Sequence, residues 1–150
     1  MKEKTRTRPG WDDYFIGFAE QASSRSDCIR AQVGAVIVNT RRKVRGTGYN
    51  NSPSGVESCL SRGICYRIEH SIESGTRYET CRSIHAEQNA IIQAGEDNCV
   101  GSTIYIFGHT QVCILCKRFI LNAGLVRVVL RKDHDSPLLE IDPGIWRAEL

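Results

Sequence analysis

The chain has no long apolar run. Its cleanest stretch near the front is Val33–Val38, interrupted by Gly34, far below the roughly 18–20 residues of a membrane-spanning helix. Met1–Arg8 is basic and polar with no apolar segment behind it, so no secretory signal peptide is expected. Proline is scarce, 4 in 150 residues, and no repeat, linker or low-complexity block divides the sequence. This length suits one domain, 1–150, built on one core. A strong charge of either sign is also missing. Lys and Arg number 20 against 17 Asp and Glu, a formal +3. That argues against a nucleic-acid partner, yet it does not repel a phosphorylated small molecule. With 41% hydrophobic and 25% charged residues, the composition is that of an ordinary globular protein.

Cysteine is what the chain has in excess. Cys28, Cys59, Cys65, Cys81, Cys99, Cys113 and Cys116 make seven. An odd count without a signal peptide argues against a disulfide framework and for a reducing, cytoplasmic setting. There, clustered cysteines bind metal or do chemistry. Cys99 stands alone and reads as a small buried hydrophobe.

Residues 1–9 read as a basic arm. Trp11, Phe15, Phe18, Ala19 and Ala22 recur at helical spacing, with Asp12 and Asp13 in the first turn, where the helix dipole favours acid. This aromatic stripe is expected in the core. Val33–Val38 and Val44–Tyr49 read as paired strands. Residues 51–84 form a long cysteine-containing insertion that needs something to tie it down. His85–Gly95 reads as a helix with Ala86, Ala90, Ile91 and Ala94 on one face. Ser102–Phe107 is a strand, and Cys113–Ala123 is a helix with Ile114, Phe119, Ile120 and Ala123 inward. Val126–Leu130 is a strand, and 131–150 is a polar tail. The order α-β-β-α-β-α-β, with a late βαβ crossover, implies an α/β fold with a mixed sheet and helices on its faces.

The chemistry lies in two short motifs. His85-Ala86-Glu87 opens one helix and Cys113-Ile114-Leu115-Cys116 opens another. One imidazole and two thiolates are a soft set suited to zinc. Two cysteines three apart grip one ion from a single helical turn. Three protein ligands leave a fourth tetrahedral position for water, the mark of a catalytic zinc. Glu87, two residues from His85, is placed to move protons beside that water. Each motif alone is common; a solvated helix start or a zinc knuckle would produce either. Together they form the signature of zinc deaminases.

The sequence resembles the cytidine/deoxycytidylate deaminase superfamily, and within it the dCMP deaminases, over about residues 9–130. The agreement includes Arg8-Pro-Gly-Trp-Asp-Asp-Tyr-Phe15, Arg25-Ser-Asp-Cys28, Val33-Gly-Ala-Val36, Gly48-Tyr-Asn50, Pro53-Ser-Gly55, Cys81–Ile91 and Asn122-Ala-Gly124. The resemblance implies a three-layer α/β/α fold with a central five-stranded mixed sheet. It implies hydrolysis of a cytosine nucleotide, dCMP to dUMP plus ammonia, with zinc-activated hydroxide attacking C4 and Glu87 as proton shuttle. It assigns the base carbonyl to the Ala86 N–H, the sugar to Asn50, and the phosphate to Arg30, with Arg25 in reserve. It further implies a second, structural zinc in the insertion, held by Cys28, Cys59, Cys65 and Cys81, with His70 as a substitute. A homo-oligomer, often a hexamer in this family, is also implied.

Several positions depart from the family pattern. Val112 replaces the proline before the first zinc cysteine, and Tyr105–Cys113 is about two residues longer than usual. His109, in that stretch, either lines the pocket or caps a turn. Asn51 stands where the family has a glycine in the region that binds regulatory dCTP and dTTP. Its side chain argues against such effectors, although Asn tolerates the left-handed turn itself. Two alternatives stand beside the main reading. One is deamination of another amino-heterocycle, such as a 5-substituted dCMP, a nucleoside, a purine base or a base in nucleic acid. The other is a non-catalytic zinc-stabilised binding or assembly module.

Overall fold

The computed structural model describes residue 3 and residues 5–150. Of the expected basic arm, residues 1, 2 and 4 lie outside the described residues; the others are exposed, without helix or strand. The helices are α1 (Trp11–Ser23), α2 (Cys59–Arg62), α3 (Tyr66–Glu69), α4 (Ala86–Ala94), α5 (Glu96–Cys99) and α6 (Ile114–Asn122). The strands are β1 (Gly34–Val38), β2 (Val44–Tyr49), β3 (Thr103–Phe107), β4 (Arg127–Arg131) and β5 (Leu139–Ile141). They form one sheet in the order β2-β1-β3-β4-β5. All neighbours are antiparallel except β3 and β4, which are parallel and joined through α6 as the crossover rule requires.

Strand alternation sends side chains to two faces. Val36, Val38, Tyr105 and Val129 meet Phe15, Ile16 and Ala19 of α1 on one face. Ala35, Ile37, Ile104, Ile106, Val128 and Leu130 meet Ala86, Ala90, Ala94, Cys116 and Ile120 of α4 and α6 on the other. This is the three-layer α/β/α sandwich implied by the sequence. Cys99 is fully buried in the second core, as read.

Two helix faces differ from expectation. Trp11 is 50% exposed and Phe18 39%, while Phe15, Ile16, Ala19 and Ser23 point inward. The cause lies at Gly34, where an added Cβ would collide with the Ala19 carbonyl. The backbones approach so closely at Ala19 and Ser23 that these small side chains must face the strand, and Trp11 and Phe18 turn outward. Trp11 instead stacks on Phe15 and lies under the Arg42 guanidinium. In α6, Ile114 and Phe119 are exposed and Cys116, Ile120 and Ala123 are inward. Turning both cysteines toward α4 sets this rotation.

The polar tail is structured. β5 pairs with β4, and the 3₁₀ turn Pro143–Ala148 buries Trp146 to 3% exposure. Arg127 ties three segments together. It bonds both carboxylate oxygens of Asp12, at 2.8 and 2.7 Å, and reaches Glu140 on β5 at 2.6 Å.

The 51–84 insertion contains α2, α3 and a 3₁₀ turn at Tyr78–Thr80. Its base is closed by reciprocal backbone bonds between Asn51 and Ile84. Arg67, 1% exposed, holds its interior by donating to the carbonyls of Glu73 and Arg77 and to the Thr80 hydroxyl.

Helix α4 rests directly on β2: a Cβ at Gly48 would strike the Ala86 carbonyl and the Ala90 N–H. Gly48→Ala is therefore expected to push out the start of α4. It should cost about 1–3 kcal/mol of stability, read as a lower melting temperature, and weaken zinc retention in parallel.

Candidate metal centre and catalytic cleft

His85 is the N-cap of α4, its backbone N–H held by the Gln88 side chain at 2.9 Å. Cys113 is the N-cap of α6, and its sulfur accepts the Cys116 N–H at 3.4 Å. Packing of α4 beside α6 brings His85 Nδ1 to 3.4 Å from Cys113 Sγ and 3.3 Å from Cys116 Sγ. Among the described residues, only these three bring three ligand atoms within 4.8 Å of one another. The set fits zinc by chemistry as well as spacing: two thiolates and an imidazole converge, and the helix N-termini favour the thiolate charge. The Cys116 hydrogen bond, outweighing burial, holds the Cys113 thiol down at about 4. Burial works against a charged His85, but its bonds to the Cys113 and Cys81 sulfurs hold the ring proton up to about 10. The Cys116 thiol is pushed up by the Cys113 sulfur and by burial.

Glu87 is 2% exposed. One carboxylate oxygen, Oε2, lies 3.4 Å from Cys116 Sγ, and the other, Oε1, lies 2.9 Å from His109 Nε2. Burial alone would raise its pKa, but the bond and charge of His109 overcome this and hold it at about 2. His109 is raised in turn, its burial offset by the Glu87 bond and charge.

His85, Cys113, Glu87 and His109 line a cleft of about 380 Å³, within the size range of small-molecule sites. Arg30, Asn50, Ala86 and Glu87 line it, as do Cys28 and Cys81. Arg25 is exposed and does not line it; it lies just past α1, away from the cleft wall. Asn50 is nearly buried, with Oδ1 accepting from the Val33 N–H at 2.9 Å and Nδ2 donating to the Ala31 carbonyl at 2.8 Å. Its amide thus braces the cleft wall and retains one further hydrogen bond on each atom. Asn51 is not in a left-handed turn; it bridges Ile84, and its Oδ1 accepts from Asn89 at 2.8 Å.

Cys28, Cys59, Cys65 and Cys81 line a second cavity of about 20 Å³, room for one water-sized atom, but no three of their sulfurs lie within 4.8 Å of one another. Burial raises the Cys59 thiol, and the other three sulfurs raise it further. His70 takes no part: its ring stacks on Tyr66 and bonds the Tyr66 carbonyl, both within its own helical turn.

Lys132 and Tyr78 also line the cleft, and neither was singled out in the sequence; nor was the contact of His109 with Glu87. Lys132 and His109 follow the carboxyl ends of the parallel strands β4 and β3, where ligands bind in α/β sheets. That rule was the available signal, but it needed the strand pairing to be known.

A layered sheet presenting a His/Cys/Cys triad at two helix N-termini, with a buried glutamate alongside, defines a zinc-binding deaminase. Residues 9–132 match the family described as the cytidine and deoxycytidylate deaminase zinc-binding region, and the chain belongs to that family. It is similar to the deoxycytidylate deaminase of Mycobacterium phage D29, 39% identical over 131 residues covering 85% of this chain and 98% of that one. It is also 35% identical over 130 residues to the Schizosaccharomyces pombe deoxycytidylate deaminase, covering 87% of this chain but 39% of the larger yeast protein. The dCMP deaminase of cyanophage S-TIM5, in its apo form, superposes with a TM-score of 0.60 at 25% identity, covering 86% of this chain and 88% of that one.

Near pH 7, His85 and Cys116 carry protons that zinc must displace, whereas Cys113 is already ionised. Loading the metal-free chain should therefore release about two protons per zinc. Calorimetry in buffers of different ionisation enthalpy checks this, and affinity should fall as the solution is acidified.

Proposed function

We propose that the chain hydrolyses dCMP to dUMP and ammonia. The observation that carries this reading is a three-donor metal centre with the Glu87 carboxylate at its edge, opening into a cleft with cations at its wall. The names of its relatives, deoxycytidylate deaminases of phage and yeast, point the same way. Zinc bound by His85, Cys113 and Cys116 would acidify a water ligand toward neutral pH, supplying the nucleophile for C4 of the ring. Glu87 would take the first proton of this water and deliver it to N3, then take the second from the hydroxyl newly bonded to C4 and pass it to the amine as the C4–N bond breaks, leaving the carboxylate as it began. The Ala86 N–H lies in the first turn of α4, where backbone donors have no intrahelical partner, and takes the base carbonyl. Asn50 offers its remaining hydrogen-bond capacity to the sugar. Arg30 and Lys132 line the same cleft and take the phosphate, Arg30 through paired donors.

The insertion completes the reading with a second zinc held by Cys28, Cys59, Cys65 and Cys81. Four thiolates around Zn²⁺ carry excess negative charge, and Arg30, Arg67 and Arg82 border the same cavity. Arg67 is buried with no carboxylate among its hydrogen-bond partners, so such an anionic cluster would balance it. Seven unpaired cysteines suit a reducing cytoplasm. Exposed apolar residues on α6, Ile114 and Phe119, support a homo-oligomer. No described helix is long and apolar enough to cross a membrane.

Purified protein should convert dCMP to dUMP, followed by ultraviolet absorbance, in preference to deoxycytidine, CMP, 5-methyl-dCMP and purine substrates. Glu87→Gln should keep its zinc and fold and lose about 10³-fold or more in kcat. Preserved turnover in that variant would show Glu87 is not the proton carrier. Arg30→Lys should raise KM for dCMP about tenfold with little change for deoxycytidine. Elemental analysis should find about two zinc ions per chain, and about one in Cys59→Ser, whose melting temperature should fall.

A further inference from the structure

His109 sits in the six-residue connection 108–113 between β3 and α6, the stretch that departs from the family in length and lacks its proline. Two features fix where this connection runs. Gly108 adopts φ 117°, and a Cβ there would strike the Gln32 carbonyl. Its N–H bonds the Arg131 carbonyl at 2.9 Å. The chain is thereby pinned between the start of β1 and the end of β4, and the next side chain, His109, turns onto Glu87.

The contact is a 2.9 Å hydrogen bond from His109 Nε2 to Glu87 Oε1. A carboxylate oxygen only accepts, so Nε2 carries the proton. The Glu87 side chain is 3% exposed, and that of His109 is 30% exposed. A buried carboxylate is costly unless it is paired. Among the described residues, the other side-chain neighbour within hydrogen-bond distance is Cys116 Sγ, a zinc ligand in the loaded site and then not a donor. His109 is therefore the side-chain donor left to hold Glu87 once the metal is bound.

We propose that His109 is a positioning residue for the deamination step: it anchors Glu87 through Oε1 and so aims Oε2 at the metal centre. The inference rests on Glu87 being the proton carrier assigned above. A carboxylate with two equivalent oxygens otherwise rotates between them, and rate depends steeply on the placement of a proton carrier. With Oε1 tied, the free oxygen is the one already facing Cys116. The extra length of the 108–113 connection has a use on this reading: it lets a side chain from the cleft wall reach the floor.

The test compares zinc-loaded wild type with His109→Leu, which keeps bulk without the donor, and His109→Gln, whose amide nitrogen can replace Nε2. His109→Leu is expected to lose about 10²-fold in kcat, with KM for dCMP within about threefold and zinc content unchanged. His109→Gln should recover most of that loss. In a Glu87→Gln background, His109→Leu should add nothing, since both act through one carboxylate. Independently of turnover, the His109 Nε2–H resonance should be shifted downfield in wild type and should move upfield in Glu87→Gln. Unchanged kcat in His109→Leu, equal loss in both His109 variants, an effect confined to KM, or additivity with Glu87→Gln would each overturn the proposal. If wild type turns over no amino-heterocycle while the resonance behaves as described, the contact stands and the assigned activity fails. A resonance indifferent to Glu87→Gln removes the contact itself.

Discussion

Everything in the site depends on two helix N-termini meeting within the reach of one metal ion. His85 caps α4 and Cys113 caps α6, and their ligand atoms lie 3.4 Å apart. Neither helix could be shifted by a residue without losing the contact. The sheet enforces their positions. Gly48 lets α4 sit directly on β2, and the parallel β3–β4 pair fixes α6 as its crossover. The glycine in a strand and the ligand at a helix cap thus belong to one geometric requirement. The same helix ends supply the electrostatics, since unpaired N–H groups favour thiolate over thiol.

A carboxylate needed for proton transfer must be close to the metal, and hence buried, yet it must remain ionised. Burial opposes that charge. Glu87 resolves the conflict with the His109 bond, without an exposed carboxylate or a permanent cation such as arginine at the reacting centre. The permanent cations stand elsewhere: Arg30 and Lys132 line the cleft, and Arg67 lies within the insertion.

The insertion shows a different solution to stability. Its residues include short helical turns and a closed base but little apolar core, with Cys59 and Cys65 among its few buried hydrophobic side chains. Its order comes from the Arg67 donors reaching three acceptors and from the paired backbone bonds of Asn51 and Ile84 at its base. Cys81 joins the two regions, since it lines both the cleft that holds His85 and the cysteine cavity. A change in the insertion thus reaches the metal centre through one side chain.

Much of this was legible in the sequence because it depends on local chemistry. The positions of the main helices and strands and the His-x-Glu and Cys-x-x-Cys spacings are written in neighbouring residues, and these survive in the structure, although α1 and α6 turn other faces inward than their periods suggest. What remained open depended on which backbones touch. The outward turn of Trp11 and Phe18 follows from the close approach at Gly34; the strand at Leu139–Ile141 follows from the open edge of β4, and Trp146 is buried where its turn packs beside α6. The exclusion of His70 and Arg25 from their assigned sites, and the arrival of Lys132 and His109 in the cleft, were likewise decided by the tertiary structure. Periodicity and ligand spacing act over a few residues and specify themselves. The partner of a buried charge is chosen by distance in space, which the chain sets only once the sheet has formed.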